Sequence, residues 1–241
     1  MQHDPSLILA IAAVFFAAGA VKGVIGLGLP TVAMGLLGLF LPPAEAAALM
    51  ILPSLLTNFV QAATGGDLRL LLRKMWPLLI GLPLGTALGV WIGIGMGGGG
   101  NARLAQMGLG LALILYGLFG LAERRLTLPA RGHAAIGAAC GLVTGALTAA
   151  TGVFVLPAVP WLQALGLERR ALLQGMGISF SVSTLALAGS LGAGGDWLAS
   201  ALALVPTLLG MALGQKLNLP PVLFRRLFFC ALLALGAHLL W

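Results

Sequence analysis

Apolar residues fill this chain in ten stretches separated by short polar links, at about 7 to 27, 29 to 40, 46 to 64, 75 to 94, 104 to 122, 133 to 151, 153 to 165, 171 to 193, 197 to 215 and 222 to 240. Most of them approach the roughly twenty residues that an α-helix needs to cross a bilayer. The second and seventh, about twelve or thirteen residues long, are too short to cross upright. Each is expected to form a hairpin with the stretch before it, either crossing at a tilt or entering and returning. The expected hairpin turns are Gly26 to Pro30 and Thr148 to Gly152.

The pattern repeats. Gly19, Gly23 and the run GVIGLG fall on Gly141, Gly145 and GALTAATG at an offset of 122, while Gly66, Asp67, Pro77, Gly81 and Gly85 fall on Gly195, Asp196, Pro206, Gly210 and Gly214 at an offset of 129. Residues 7–122 and 133–240 therefore read as two copies of a five-stretch unit, joined by a basic linker at 123–132 within one integral membrane domain, 1–241. Five is odd, so the second copy starts from the opposite side. The links agree: Arg69, Arg73 and Lys74 follow Asp67, whereas no cation follows Asp196, and Arg169 and Arg170 lie where the first copy has Pro42, Pro43 and Glu45. Inverted-topology repeats of this kind build secondary transporters with a substrate site near the midplane at the repeat interface.

Composition narrows the class. Hydrophobic residues make up 60% and charged residues 8% of the chain, with a mean hydropathy of +1.07, so a water-soluble domain is excluded and an all-α polytopic membrane protein is expected. If every stretch reverses the chain's side, Arg69, Arg73, Lys74, Arg124, Arg125, Arg131, Arg169, Arg170, Lys216, Arg225 and Arg226 share one side and only Arg103 takes the other. Cationic loops stay in the cytoplasm, which puts both chain ends outside and explains the net charge of +7 without nucleic acid. Met1 to Ser6 lacks the basic start of a cleaved signal peptide and reads as the outer end of the first span. Cys140 and Cys230, with no CxxC and no histidine at ligand spacing, are expected to be buried, reduced thiols. No metal or cofactor is implied.

Candidate chemistry gathers at the breaks. In KGVIGLGLPT, residues 22–31, Gly26 and Gly28 supply the unusual backbone that a break at membrane depth requires, and Pro30 suits the first turn of the next helix. Helix N-termini aimed at this turn and at Thr148, Thr151 and Gly152 would together cradle an anion; the competing reading is that the glycines only permit close packing. Lys22 is a cation inside a stretch, which costs about 2.5–3.5 kcal/mol on insertion scales. A transported anion, a distant acid and snorkelling to a headgroup are its possible explanations. Ser54, Thr57, Asn58 and Gln61 share one helical face, and Gln174, Ser181 and Thr184, with Ser179 and Ser183 beside them, form another. These are either neutral donors replacing an oxyanion's water or interhelical hydrogen bonds. Thr31 completes the set. Asp67 and Asp196 read as turn or N-cap residues, with a proton relay as the weaker alternative, and Glu45 as a first-turn acid. His3, His133 and His238 lie near stretch ends without ligand partners nearby.

The runs GAVKGVIGLGLPTVAMGLLG, PSLLTNFVQAATGG and GLVTGALTAATGVFVLP, in that order, resemble the TauE/SafE family of sulfite exporters and related anion permeases over nearly the whole chain. The resemblance implies a multi-span permease of a prokaryotic inner membrane that moves sulfite, sulfoacetate, aromatic sulfonates or similar anions. The family's glycine-rich turn falls on Gly23, Gly26 and Gly28, while Thr148 and Ala150 stand where many members have glycine. The leading expectation is a secondary permease for a small anion, alternating around Lys22, Gly26, Gly28, Thr31, Thr57, Asn58, Gln61, Thr148, Thr151, Gly152, Gln174 and Ser181. No Walker A motif is present, so a proton or sodium gradient, or another subunit, would drive it; a homo-oligomer is compatible. A passive anion channel is the alternative. A scaffold subunit ranks below it, and a hydrolase has only the partial motif Gly177-Ile178-Ser179.

Overall fold

A computed structural model describes residues 5–66, 68–96, 102–122, 132–192, 196–217 and 220–241. Helices are α1 (Pro5–Ile25), α2 (Leu29–Leu37), α3 (Pro43–Ala63), α4 (Leu68–Trp91), α5 (Ala102–Leu121), α6 (His133–Thr151), α7 (Ala158–Ala164), α8 (Arg169–Leu191), α9 (Trp197–Leu202), α10 (Leu204–Lys216) and α11 (Pro221–Leu240). No strand occurs among the described residues. Asp67, Gly195, Arg124, Arg125, Arg131 and most of the expected linker lie outside them, as do His3 and Asp4. Seven helical runs are long and apolar enough to cross a membrane, with α9 and α10 counted as one. Large side chains such as Leu9, Leu84, Leu104 and Leu198 are exposed on the outside, as a lipid-facing surface requires.

The breaks follow from local chemistry. Gly26 and Gly28 take φ of +77° and +99°, a region closed to most side chains, and Pro30 lies in the first turn of α2. In the second half, Gly152 ends α6 at φ +69°, and its N–H donates to the Thr148 carbonyl at 2.9 Å. Nine residues of α2 rise about 14 Å, and the seven of α7 less, so neither short helix crosses a hydrocarbon layer of about 30 Å by itself. Both are buried in protein: Leu29, Met34 and Leu37 of α2 have no exposed surface, and Ala158, Val159, Trp161 and Leu162 of α7 are buried.

Three boundaries differ from expectation. The turn expected at Thr148 to Gly152 begins only at Gly152, because Thr148 and Thr151 stay in the last turn of α6, and α7 starts at Ala158 rather than near 153. The fourth helix begins at Leu68 rather than near 75, because its first turns are amphipathic, with Leu71 and Met75 buried and Arg69, Arg73 and Lys74 exposed. The ninth stretch breaks at Ala203, three residues before Pro206, whose ring opposes continuation of the preceding turn. Asp196 is the N-cap of α9; its carboxylate accepts from the Ala199 N–H at 3.0 Å. Cys140 is half-buried and Cys230 is exposed on α11, so the expectation of two buried thiols is corrected; α11 turns that face outward.

Glycines bring helix pairs together. Gly19 meets Thr207 and Met211, and Gly23 meets Met211 and Gln215, so α1 and α10 run parallel. Likewise Gly141 meets Leu78 and Gly81, and Gly145 meets Leu82 and Gly85, aligning α6 with α4. A methyl group at Gly141 would lie 2.9 Å from the Gly81 Cα, a distance that leaves no room for a side chain. Helices α3 and α8 cross antiparallel, as do α5 and α11, the latter around buried Tyr116, whose ring meets Phe229 edge-on at 5.3 Å.

Pro53 interrupts α3 and leaves the Leu49 carbonyl without its usual partner. Ser200 of α9 repairs this: its hydroxyl donates to Leu49 O at 2.9 Å and accepts from the Leu52 N–H at 3.2 Å. Ser200→Ala is expected to cost about 1–3 kcal/mol, the penalty for a buried polar group left unpaired. The measurement is the apparent melting temperature in detergent, and a melt equal to wild type contradicts the repair.

Candidate functional site

The last turn of α1 faces the polar stripe of α3. Lys22 is only 4% exposed, and its Nζ donates to Oδ1 of Asn58, itself fully buried. Among the described residues, neither Asn58 Nδ2 nor Gln61 Oε1 has a hydrogen-bond partner. One helical turn further on, α3 and α8 are tied by a reciprocal pair: Gln61 Nε2 donates to Leu173 O at 2.8 Å, and Gln174 Nε2 donates to Ala62 O at 2.9 Å. Gly177 allows this crossing, since a methyl group there would lie 2.6 Å from the Ala62 nitrogen.

These elements enclose a cavity of about 330 Å³. Lys22, Thr57 and Gln61 line its inner end; Val24, Val60, Leu173 and Met211 give it apolar walls; exposed Thr64, Arg169 and Arg170 lie at its mouth. Gly23 lies against Gly214 and Gln215, so Lys22 is level with the end of α10 rather than with its middle. Arg170 Nη2 donates to Thr64 O and Lys74 Nζ to Leu165 O, each at 3.4 Å. The two basic links that begin α4 and α8 therefore occupy one end of the bundle. Glu45 and Glu168 are exposed, and among the described residues no carboxylate lines the cavity. None of them forms a His, Cys, Asp or Glu group able to hold a metal ion.

The expected site residues divide. Lys22, Gly26, Thr57, Gln61 and Gln174 line the cavity, and Asn58 holds Lys22 from behind. Gly28 and Thr31 are buried beyond it, Gly28 against Phe228 and Val21; the Thr31 hydroxyl has no partner. Thr148, Thr151 and Gly152 lie apart from the cavity, Gly152 packing on Met34. Their hydroxyls serve the local backbone: Thr148 donates to Thr144 O and Thr151 to Leu147 O, both at 2.7 Å. The start of α7 is similarly occupied, since the Ala158 N–H donates to Thr144 Oγ1 at 3.1 Å. An anion cradle made of two opposed turns is thus not what these contacts describe. Ser181 donates to Gly177 O at 2.8 Å and Thr57 to Pro53 O at 2.7 Å, so both hydroxyl protons are spent within their own helices. Ser179 is buried and donates to Met176 O at 3.1 Å.

Residues not singled out complete the cavity. Arg169 and Arg170 were read only as topological charges, and Met211 and Gln215 arrive because α10 lies along α1. The glycine spacing of α10 was the available signal. Chemically the inner end offers the Lys22 nitrogen and an amide N–H₂ that has no partner among the described residues, in apolar surroundings and with two guanidinium groups outside, a set of donors suited to an anion.

The family model described as sulfite exporter TauE/SafE matches residues 11–239. The chain belongs to the TauE/SafE family. Neither a curated protein nor a solved structure matches it. The TauE/SafE family is one of membrane transporters for sulfite and related anions, not of enzymes, and with seven spanning-capable runs this TauE/SafE chain is a multi-pass membrane protein.

Removing one member of a buried hydrogen-bonded pair strands the other, whereas removing both can be nearly neutral. Asn58→Leu should therefore destabilise the TauE/SafE fold by about 1–3 kcal/mol or more, and the double variant Lys22→Met, Asn58→Leu should recover most of it. Thermal melts of the three proteins decide; a double variant no more stable than Asn58→Leu contradicts the pairing.

Proposed function

We propose that this TauE/SafE protein is a secondary permease for sulfite or organosulfonate anions, working by alternating access, with Lys22 and Asn58 as the anion's innermost partners. The observation that carries this reading is a buried lysine bonded to a neutral amide at the end of a cavity in which no described carboxylate takes part. An ammonium retained there gains full compensation only when something negative arrives. Gln61 and Gln174 border the same space, and Arg169 and Arg170 collect anions at its mouth. The basic end is cytoplasmic by the distribution of lysine and arginine, so the cavity faces inward and both chain ends face out. Beyond Lys22 the interior is filled by α2, which favours alternation over a continuous pore.

Inverted repeats are part of this proposal. Their support is that Gly19 and Gly23 meet Thr207 and Met211, while Gly141 and Gly145, at 122 places further on, meet Leu78 and Leu82, at 129 places before those partners. The antiparallel crossing of α3 with α8 and of α5 with α11 agrees. The glycine seams also join each half to the other, so the moving unit combines helices of both halves, and the polar α3–α8 crossing is where the cavity closes and opens.

Efflux of a labelled sulfonate from whole cells tests the site. Lys22→Ala should lower transport at least tenfold, in keeping with about 1.5–3 kcal/mol for a hydrogen bond to a charged group; transport equal to wild type removes Lys22 from the mechanism. Spin labels at exposed Ala13 and Leu208, on α1 and α10, should keep their separation when sulfonate is added, while labels at Thr64 and Arg169 change theirs. A large change in the first pair contradicts the proposed moving unit.

A further inference from the structure

We propose that Lys22 carries the coupling proton: it is a neutral amine in the empty site and takes up one proton with each anion, so that the two cross the membrane together. This rests on the reading of Lys22 as the anion's partner and adds the coupling ion and its carrier. The first ground is the company Lys22 keeps. It is 4% exposed, and its hydrogen-bond partner is the uncharged Asn58. An ammonium withdrawn from water beside a neutral amide remains uncompensated until an anion occupies the cavity.

The second ground is that an amide serves both protonation states. Asn58 Oδ1 accepts equally from an ammonium or an amine N–H. Its Nδ2, buried and without a partner, is the donor left for the amine lone pair after a flip of the amide, or for the anion itself. A carboxylate at this position would hold the lysine permanently charged.

The third ground is the set of charges on the surrounding helices. Glu45 opens α3 at the end remote from Asn58; Glu168 is exposed where α8 begins; Lys216 ends α10; Arg225, Arg226, Cys230 and His238 occupy exposed positions on α11; α2 has no titratable group. Arg169 and Arg170 at the cavity mouth stay charged at any physiological pH and cannot carry a proton in a cycle. Within the described residues, Lys22 is the one ionisable group at the cavity's inner end.

The cycle balances. A proton from water at the mouth bonds to the amine nitrogen, giving –NH₃⁺, and one monoanion pairs with it. After the site turns to the other face, the anion leaves and the N–H bond breaks, returning the proton to water there. One proton and one anion have moved, with no net charge and no other reactant. Direction follows the two gradients.

The test uses the full-length protein in liposomes with methanesulfonate, which stays a monoanion throughout the working pH range, so any proton movement belongs to the protein. Lumenal pyranine reports protons, labelled methanesulfonate reports anion flux, and potassium with valinomycin sets the voltage. The wild type should move one proton per anion at a rate insensitive to voltage. In Lys22→Arg, permanently charged, the ratio should fall to zero and any remaining flux should follow voltage. Wild-type anion flux without protons overturns the coupling but leaves the permease reading standing, as does a ratio of one retained in Lys22→Arg. Absence of wild-type flux with both methanesulfonate and benzenesulfonate overturns both readings. Where Lys22→Arg does not assemble, calorimetry of wild type in two buffers of different ionisation heat replaces it. Uptake of up to one proton per methanesulfonate bound, with affinity falling about tenfold per pH unit on the alkaline limb, supports the proposal; heats independent of buffer overturn it.

Discussion

In hydrocarbon every backbone N–H and C=O must find a partner within the protein, and the arrangement of this chain answers to that requirement. Its helix breaks at Gly26–Gly28, at 152–157 and at Pro53 would be untenable against lipid. Each is placed inward and supplied with partners: the Gly26 N–H by Lys22 O, the Gly28 carbonyl by the Val32 N–H, the Gly152 N–H by Thr148 O, the start of α7 by Thr144, and the Leu49 carbonyl by Ser200. The short helices α2 and α7 are buried for the same reason. A cavity with irregular walls then becomes possible at membrane depth, because the helices around it supply the missing partners.

What the sequence made legible was whatever lipid dictates position by position. The sixth stretch coincides with α6 residue for residue, and α2 follows the expected glycine turn, whereas Thr148–Thr151 of the second expected turn stay helical and the break there runs over 152–157. The start of α4 was not legible, since a helix does not end where the membrane does; Leu71 and Met75 continue its buried face below Arg73 and Lys74. Lys22 stood out because a cation in a span is costly, and the α3 stripe stood out by its spacing. Their union, across 36 positions, depends on how α1 and α3 cross, which no local pattern encodes.

The grouping of Thr148, Thr151 and Gly152 with Gly26 and Gly28 shows a different limit. Even under the proposed repeat, positions that match between the two halves would touch only where an axis relating them passes between them. Lys22 and Thr144, 122 places apart, differ in their partners: Lys22 donates to an amide side chain on α3, and Thr144 accepts from the backbone N–H that starts α7. Only the first of the two borders the cavity.

That division of labour bears on how an anion is held without being trapped. A threonine hydroxyl that donates to its own helix presents lone pairs and repels an oxyanion, so polar composition alone overstates the attraction of the cavity walls. In the proposed site the attraction comes from Lys22 and from Nδ2 of Asn58, and it is worth most when water is excluded. Two fixed guanidinium groups so deep would bind an anion strongly in every conformation and slow its departure. Here Arg169 and Arg170 remain at the exposed mouth, where solvent weakens them, and the inner charge is a single lysine beside a neutral partner. In the proposed cycle binding is strong only while the amine is protonated and the cavity closed, and the return of water to its inner end releases the anion and the proton together.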